Sequence, residues 1–203
     1  MKKPVAAMIL ATLGMVAGNA LAEQSPWMVR VRLERLSPAD KSDPVGGVGA
    51  SDRISVSKKT IPDIDISYFF TPNISAELVL TYPQKHDVML DGTQIGTFKH
   101  LPPTLLAQYH FMPEATFSPY LGAGVNYTNI HKVELLGGAG SLEHKSVGLA
   151  LQAGADYKID KNWSLNFDVK KIQIRSDVFA AGNKISNVQI DPWLVGVGVG
   201  YRF

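Results

Sequence analysis

The 203-residue sequence contains no cysteine. That absence removes any disulfide framework and any thiolate metal site. Beyond its first 22 residues the chain also lacks an apolar run long enough to cross a bilayer as a helix, which takes about 20 residues. Neither sign of charge is in excess. The sequence holds 20 Lys+Arg and 18 Asp+Glu, and two of the cations, Lys2 and Lys3, stand in the leader, so the remainder carries 18 of each. A chain of zero formal net charge offers no electrostatic footprint for nucleic acid. No low-complexity linker divides it, and a mature length of roughly 180 residues suits a single domain.

The leader has a readable order. Lys2 and Lys3 precede an apolar run from Val5 to Val16, and the small-residue triplet Ala20-Leu21-Ala22 follows. This is the pattern of a secretory signal peptide, with cleavage expected after Ala22. The expected domain is therefore 23–203, exported from the cytoplasm.

What the rest of the chain has in abundance is alternation. Its last residues, WLVGVGVGYRF (193–203), put Trp193, Val195, Val197, Val199, Tyr201 and Phe203 on one face of a strand. Leu194, Gly196, Gly198, Gly200 and Arg202 fall on the other. The same period-2 signal recurs with apolar stripes beginning at Trp27, Ile64, Ile74, Leu105, Leu121, Val147 and Trp163. Polar, charged or glycine residues oppose each stripe. That makes eight strands.

The connections alternate in length. Thr71-Pro72-Asn73, Met112 to Thr116 and Asp160-Lys161-Asn162 are tight, whereas the segments near 37–60, 86–98, 131–145 and 177–187 are long and polar or glycine-rich. The pattern predicts an all-β fold: an eight-stranded antiparallel up-and-down transmembrane β-barrel, with short periplasmic turns and long extracellular loops. Outward aromatics sort by height as interfacial belts do. Trp27, Phe70, Phe111, Phe117, Tyr157, Trp163, Tyr201 and Phe203 gather at the short-turn end, and Tyr82, Tyr127 and Trp193 toward the loops. A soluble barrel with the stripes turned inward would have to coat its surface with glycines, and its aromatics would have no reason to sort.

Three segments, HLPPTLLAQYHF (100–111), PYLGAGVNYT (119–128) and DPWLVGVGVGYRF (191–203), resemble the outer membrane protein W (OmpW) family of Gram-negative bacteria. The resemblance runs over essentially the whole mature chain. It implies an eight-stranded barrel with a narrow, rather hydrophobic lumen, through which small hydrophobic molecules cross the lipopolysaccharide barrier and leave sideways into the membrane. The terminal Phe203 matches the aromatic end that the barrel assembly machinery reads in many such proteins.

Eight strands enclose room for packed side chains or one small ligand, so a water-filled pore is not expected. Toward the periplasmic end the inward face is charged, with Arg30, Arg32, Asp63, Asp65, Glu77, His110, Asp156, Asn166, Asp168 and Arg202. Charges of both signs in so confined a space are tolerable only when paired, which predicts a salt-bridged plug. Higher up, Val79, Leu106, Leu194, Ile172 and Ile174 give an apolar lumen, expected to open outward as the solute path. Lys170 falls at that level by strict alternation. A bulge after Val169 would instead turn Lys171 inward and the two isoleucines out, and the residues leave both arrangements open. Pro102 and Pro103 cannot donate ladder hydrogen bonds. They either unzip the fourth strand from a neighbour, giving a lateral exit, or lie above the membrane and shape a loop.

Five histidines show no paired metal-ligand spacing, and His86, His100, His131 and His144 read as surface residues of the loops. No outward trio of serine, histidine and carboxylate suggests a lipid-modifying enzyme, and VGGVG (45–49) and LGGAG (136–140) lack the lysine and helix of a phosphate loop. The leading expectation is a non-enzymatic, cofactor-free outer-membrane channel or receptor for small hydrophobic solutes, monomeric, embedded in lipid and lipopolysaccharide. The alternative is a structural or adhesion-type barrel whose loops bind phage, bacteriocins or host surfaces.

Overall fold

The computed structural model describes residues 25–203. The expected signal peptide, 1–22, lies outside the described residues. These residues form strands β1 (Trp27–Ser37), β2 (Lys41–Ser42), β3 (Ile54–Val56), β4 (Lys59–Phe69), β5 (Ile74–Thr81), β6 (Gln84–Leu90), β7 (Thr93–Leu101), β8 (Thr104–His110), β9 (Phe117–Leu135), β10 (Gly140–Leu142), β11 (Lys145–Lys158), β12 (Trp163–Ile172), β13 (Arg175–Ala180), β14 (Asn183–Gln189) and β15 (Trp193–Arg202). No helix among them is long and apolar enough to cross a membrane.

Eight of the strands close a barrel in the order β1, β4, β5, β8, β9, β11, β12, β15 and back to β1, every pair antiparallel. Closure leaves no free sheet edge in the wall, as hydrocarbon requires. The first and last described residues meet at the short-turn rim, where the Ser25 amide donates to the Phe203 carbonyl at 2.8 Å.

The long segments differ from the expected loops. Seven further strands build an extracellular extension on the barrel: the β6–β7 hairpin pairs with β3 and with the upper half of β9, and the β13–β14 hairpin pairs with β10 and β2. Each hairpin turns on two residues of positive φ, Asp91 (50°) with Gly92 (80°) and Ala181 (47°) with Gly182 (80°). Two such residues in succession make the turn whose twist matches paired strands.

The barrel's faces follow the alternation. Leu33, Leu151 and Val197 are each about 60% exposed on the outer wall, at 60%, 62% and 61%. Such a band of exposed apolar side chains is suited to hydrocarbon. At the periplasmic rim the aromatic rings stack edge to face in pairs, Trp27 with Tyr68 and Trp163 with Tyr201 at 4.9 Å, and Tyr109 with Phe111 at 5.1 Å.

The glycine face of β15 is set by its neighbours. Gly200, Gly198 and Gly196 stand opposite Arg30, Arg32 and Glu34 of β1, and opposite Ser164, Asn166 and Asp168 of β12. A Cβ on Gly198 would run into the Val31 carbonyl oxygen and come within 2.8 Å of Arg32 Cα and Cγ. The backbone oxygen cannot move aside without breaking the ladder. Gly198→Val is therefore expected to abolish the folded barrel, seen as loss of the faster-migrating unheated band on a denaturing gel, whereas Val197→Ile on the lipid face keeps it.

Candidate solute path and charged lumen

Strand β1 delivers Arg30 and Arg32 to the middle of the lumen, and neither reaches solvent. The Arg30 guanidinium forks onto Asp156, donating to Oδ2 at 2.7 Å and Oδ1 at 3.2 Å, while its other arm reaches Glu77 Oε2 and Ser67 Oγ, both at 2.8 Å. Arg32 donates to Asp65, to Asn166 Oδ1 at 2.6 Å and to the Tyr120 hydroxyl at 3.3 Å, with Glu77 Oε2 at 3.4 Å. The Tyr120 hydroxyl in turn donates to Asp168 Oδ2 at 2.7 Å. Gln152 bridges Glu77 and Asp168 with two bonds of 2.8 Å and accepts from Gln108 at 2.8 Å. These are charge-assisted bonds, several of them bidentate or shared, in a space with no bulk water to compete.

Lys170 settles the question its sequence left open. The ladder of β12 runs without a bulge from Trp163 to Lys171, so Lys170 faces in and Lys171 faces out. Lys170 Nζ bonds Glu34 and lies 2.8 Å from Asp168 Oδ1 and 3.6 Å from Asp63 Oδ2. It caps the charged network rather than lining an apolar path, which corrects its expected place. Lys171 lies on the outer wall, its ammonium 5.1 Å from the Trp193 ring centroid.

Two other expected members stand apart. Arg202 lies at the periplasmic mouth, its guanidinium 4.0 Å above the Phe69 ring and its Nε donating to the Ser25 carbonyl at 3.0 Å, away from the carboxylates. His110 shares a hydrogen bond of 3.0 Å with Ser75 Oγ and packs between the Phe69 and Tyr120 rings. Glu34, Tyr120, Gln108 and Gln152 complete the network although they were not singled out. Their inward parity was the available signal.

Val79, Leu106, Ile172, Ile174 and Leu194 are all buried directly above Lys170, and they do not surround an open mouth. They join Leu36, Ile61, Ile130, Phe98 and the inner faces of the extracellular strands in one apolar cluster. A cavity of about 20 Å³ within that extension, bounded by Val56, Phe98 and Leu135 among others, holds no more than a water.

Pro102 and Pro103 lie between β7 and β8, and their effect is one-sided. Toward β9 the Pro103 carbonyl accepts from Tyr127 N at 3.0 Å, and Asn126 Nδ2 reaches both proline carbonyls at 3.2 Å. Toward β5 the ladder stops at Val79 opposite Thr104 and resumes only at Gln84 opposite His100. The intervening stretch holds Pro83 on one side and both prolines on the other, so three of its residues have no N–H to offer.

The histidines also differ from expectation. His86 and His100, expected at the surface, are fully buried on the inner face of the β6–β7 hairpin, their rings 4.8 Å apart. Burial holds both imidazoles below their usual range, His100 at about 3, so they are neutral at physiological pH. No group of three or more His, Cys, Asp or Glu among the described residues is placed to hold a metal ion.

The charged network gives a direct stability test. Arg32→Met leaves Asp65 and Glu77 short of a partner in a sealed interior and is expected to cost about 3–5 kcal/mol, measured by urea unfolding of the barrel in lipid vesicles. Arg53→Met, which breaks an exposed pair with Asp91, should barely move the midpoint.

The chain is similar to known outer-membrane proteins along its length. The family model described as "OmpW family" matches residues 23–203. An uncharacterized outer-membrane protein of Sinorhizobium fredii is 44% identical over 95% of this chain and 84% of its own. Outer membrane protein W of Escherichia coli is 34% identical over 100% of this chain and 99% of its own. Among solved structures, the outer membrane protein OprG of Pseudomonas aeruginosa superposes with a TM-score of 0.77 at 28% identity, covering 89% of this chain and 97% of that one.

Proposed function

The chain belongs to the OmpW family of the bacterial outer membrane, and from that premise we propose that it is a passive channel or receptor for small hydrophobic molecules. Solute is taken up by the apolar extracellular cluster and upper lumen around Val79, Leu106, Ile172 and Leu194. The ion-paired network of Arg30, Arg32, Asp63, Asp65, Glu77, Asp156, Asp168 and Lys170 acts as the plug that denies it the periplasm. The solute then leaves sideways into the membrane through the wall beside Pro102 and Pro103. Surrounding lipid and lipopolysaccharide are the barrel's permanent partners, and the exposed terminal Phe203 is its signal to the assembly machinery.

One observation carries this reading. An apolar interior sits on a floor of buried, ion-paired side chains, and the wall between β5 and β8 loses its ladder at the height of that interior. Moving an apolar solute through the floor would separate buried charges at a cost of several kcal/mol each. The proline gap itself holds no ladder pair to break. Apolar side chains have to slide aside, because the cluster is packed, and contacts of this kind are non-directional.

The packed interior and the well-paired extracellular hairpins favour a second reading, in which the barrel does not conduct and the extension is a docking platform for phage, bacteriocins or host surfaces. Restoring pairing in the wall separates the two. Pro102→Thr with Pro103→Val is expected to slow uptake of a hydrophobic probe by cells several-fold while the heat-modifiable folded band persists. Unchanged uptake by the folded variant removes the lateral exit.

A further inference from the structure

The first rung of the wall above the proline gap is the pair Gln84 opposite His100, with His86 diagonally beside it. All three side chains point inward and none is exposed. With the buried Thr104, Asn126 and Thr128 they are the polar part of a largely apolar lining, with the Phe98 ring 5.7 Å from His86 and 5.8 Å from His100.

Their hydrogen-bonding capacity is largely unspent. His86 Nδ1 lies 2.9 Å from the Ser57 carbonyl oxygen. A carbonyl only accepts, so Nδ1 carries the proton and Nε2 presents a lone pair. Gln84 uses its amide nitrogen on the Tyr82 carbonyl at 2.9 Å and Thr81 Oγ1 at 3.3 Å, which leaves Oε1 facing in as a second acceptor. His86 Nε2, Gln84 Oε1 and both ring nitrogens of His100 find no hydrogen-bond partner within the protein. A neutral His100 has one donor and one acceptor, so the group offers three acceptors and one donor, with the two imidazole rings 4.8 Å apart.

Resting on the reading of a hydrophobic-solute path, we propose that Gln84, His86 and His100 form a seat for the hydroxyl group of an otherwise apolar molecule, and that the preferred solutes are oily alcohols and phenols. A hydroxyl complements the set: it donates to an acceptor such as His86 Nε2 or Gln84 Oε1 and accepts from the His100 N–H. A plain hydrocarbon leaves all of them desolvated and unpaired, which is the costly case. A carboxylate brings only lone pairs against the three acceptors, both imidazoles are neutral, and the nearby Lys59 ammonium is taken by the Lys85 carbonyl. Sites that satisfy a buried hydroxyl in this way reject analogues lacking it far more strongly than apolar pockets distinguish shapes. The position also matters, since a solute turning into the wall gap passes this rung.

The test compares three probes of one skeleton, 1-naphthol, naphthalene and 1-naphthoate, as initial uptake by Gram-negative cells expressing the full chain, less uptake by cells with the empty vector. The expected result is that 1-naphthol exceeds each of the other two by about tenfold, the worth of one or two buried hydrogen bonds. His100→Phe should bring naphthol down to the naphthalene rate and leave naphthalene unchanged, and Gln84→Met, a milder change of similar shape, should lower naphthol alone. The folded band on an unheated gel identifies variants that assemble. Equal rates for naphthol and naphthalene in the wild type, or a naphthol preference surviving both substitutions, overturn the seat while sparing the hydrophobic path. Uptake of none of the three above the vector overturns both.

Discussion

Three cations held among six carboxylates inside a tube are the constraint from which the other features follow. Arg30, Arg32 and Lys170 have no solvent, so each requires a partner at fixed geometry, and Glu34, Asp63, Asp65, Glu77, Asp156 and Asp168 supply it from five different strands. Unpaired, any of them would cost more than a small barrel can spare. A one-residue slip of any of these strands would turn its charges into lipid and its leucines into the lumen. Register, facing and closure are therefore fixed together.

Long charged side chains take volume, and an eight-stranded lumen has little. The glycines resolve that conflict by position. Each inward glycine of β15 flanks a long or polar group of β1, and Gly154 leaves room for the Tyr120 ring, whose hydroxyl then reaches Asp168. The near-empty face of the C-terminal strand is thus the complement of the crowded face of β1. The broad outer face answers to a different solvent, and its aromatic pairs mark where hydrocarbon gives way to headgroups.

How much of this was legible depended on contrast between the two faces of a strand. Where bulky apolar residues alternate with aspartate, serine, glycine or alanine, as from Ile64 to Tyr68 or Val147 to Leu151, parity alone identifies which side chains meet inside. It failed where both faces look alike. Lys170-Lys171 read equally well in either facing, and only the unbroken pairing of β12 with β15 distinguishes them. In QKHDVML (84–90) and TQIGTFKHL (93–101) the inward set includes glutamine and two histidines, so polarity marks no face and the hairpin passed for a loop. Its Asp91-Gly92 turn was the overlooked local sign. Arg202 was misplaced for another reason: parity gives facing and not depth, and one rung from the rim a cation finds an aromatic ring and a carbonyl instead of the carboxylates.

The two halves of the interior differ in how they can yield, and this bears on function more than either half alone. The floor is directional: shifting Arg32 by an ångström weakens bonds to several partners at once, and no substitute is at hand. The apolar upper half has no such preferred geometry, since one contact between Leu106, Ile172 and Leu194 is worth about as much as another. On the proposed function, motion that admits a solute is accordingly confined above Lys170, where the wall lacks its ladder in the stretch holding Pro83 on one side and Pro102 and Pro103 on the other. A barrel whose floor is held by directional bonds and whose upper wall lacks a stretch of ladder deforms more easily on one side, and the proposed lateral exit rests on that asymmetry and does not require an open pore in the resting state.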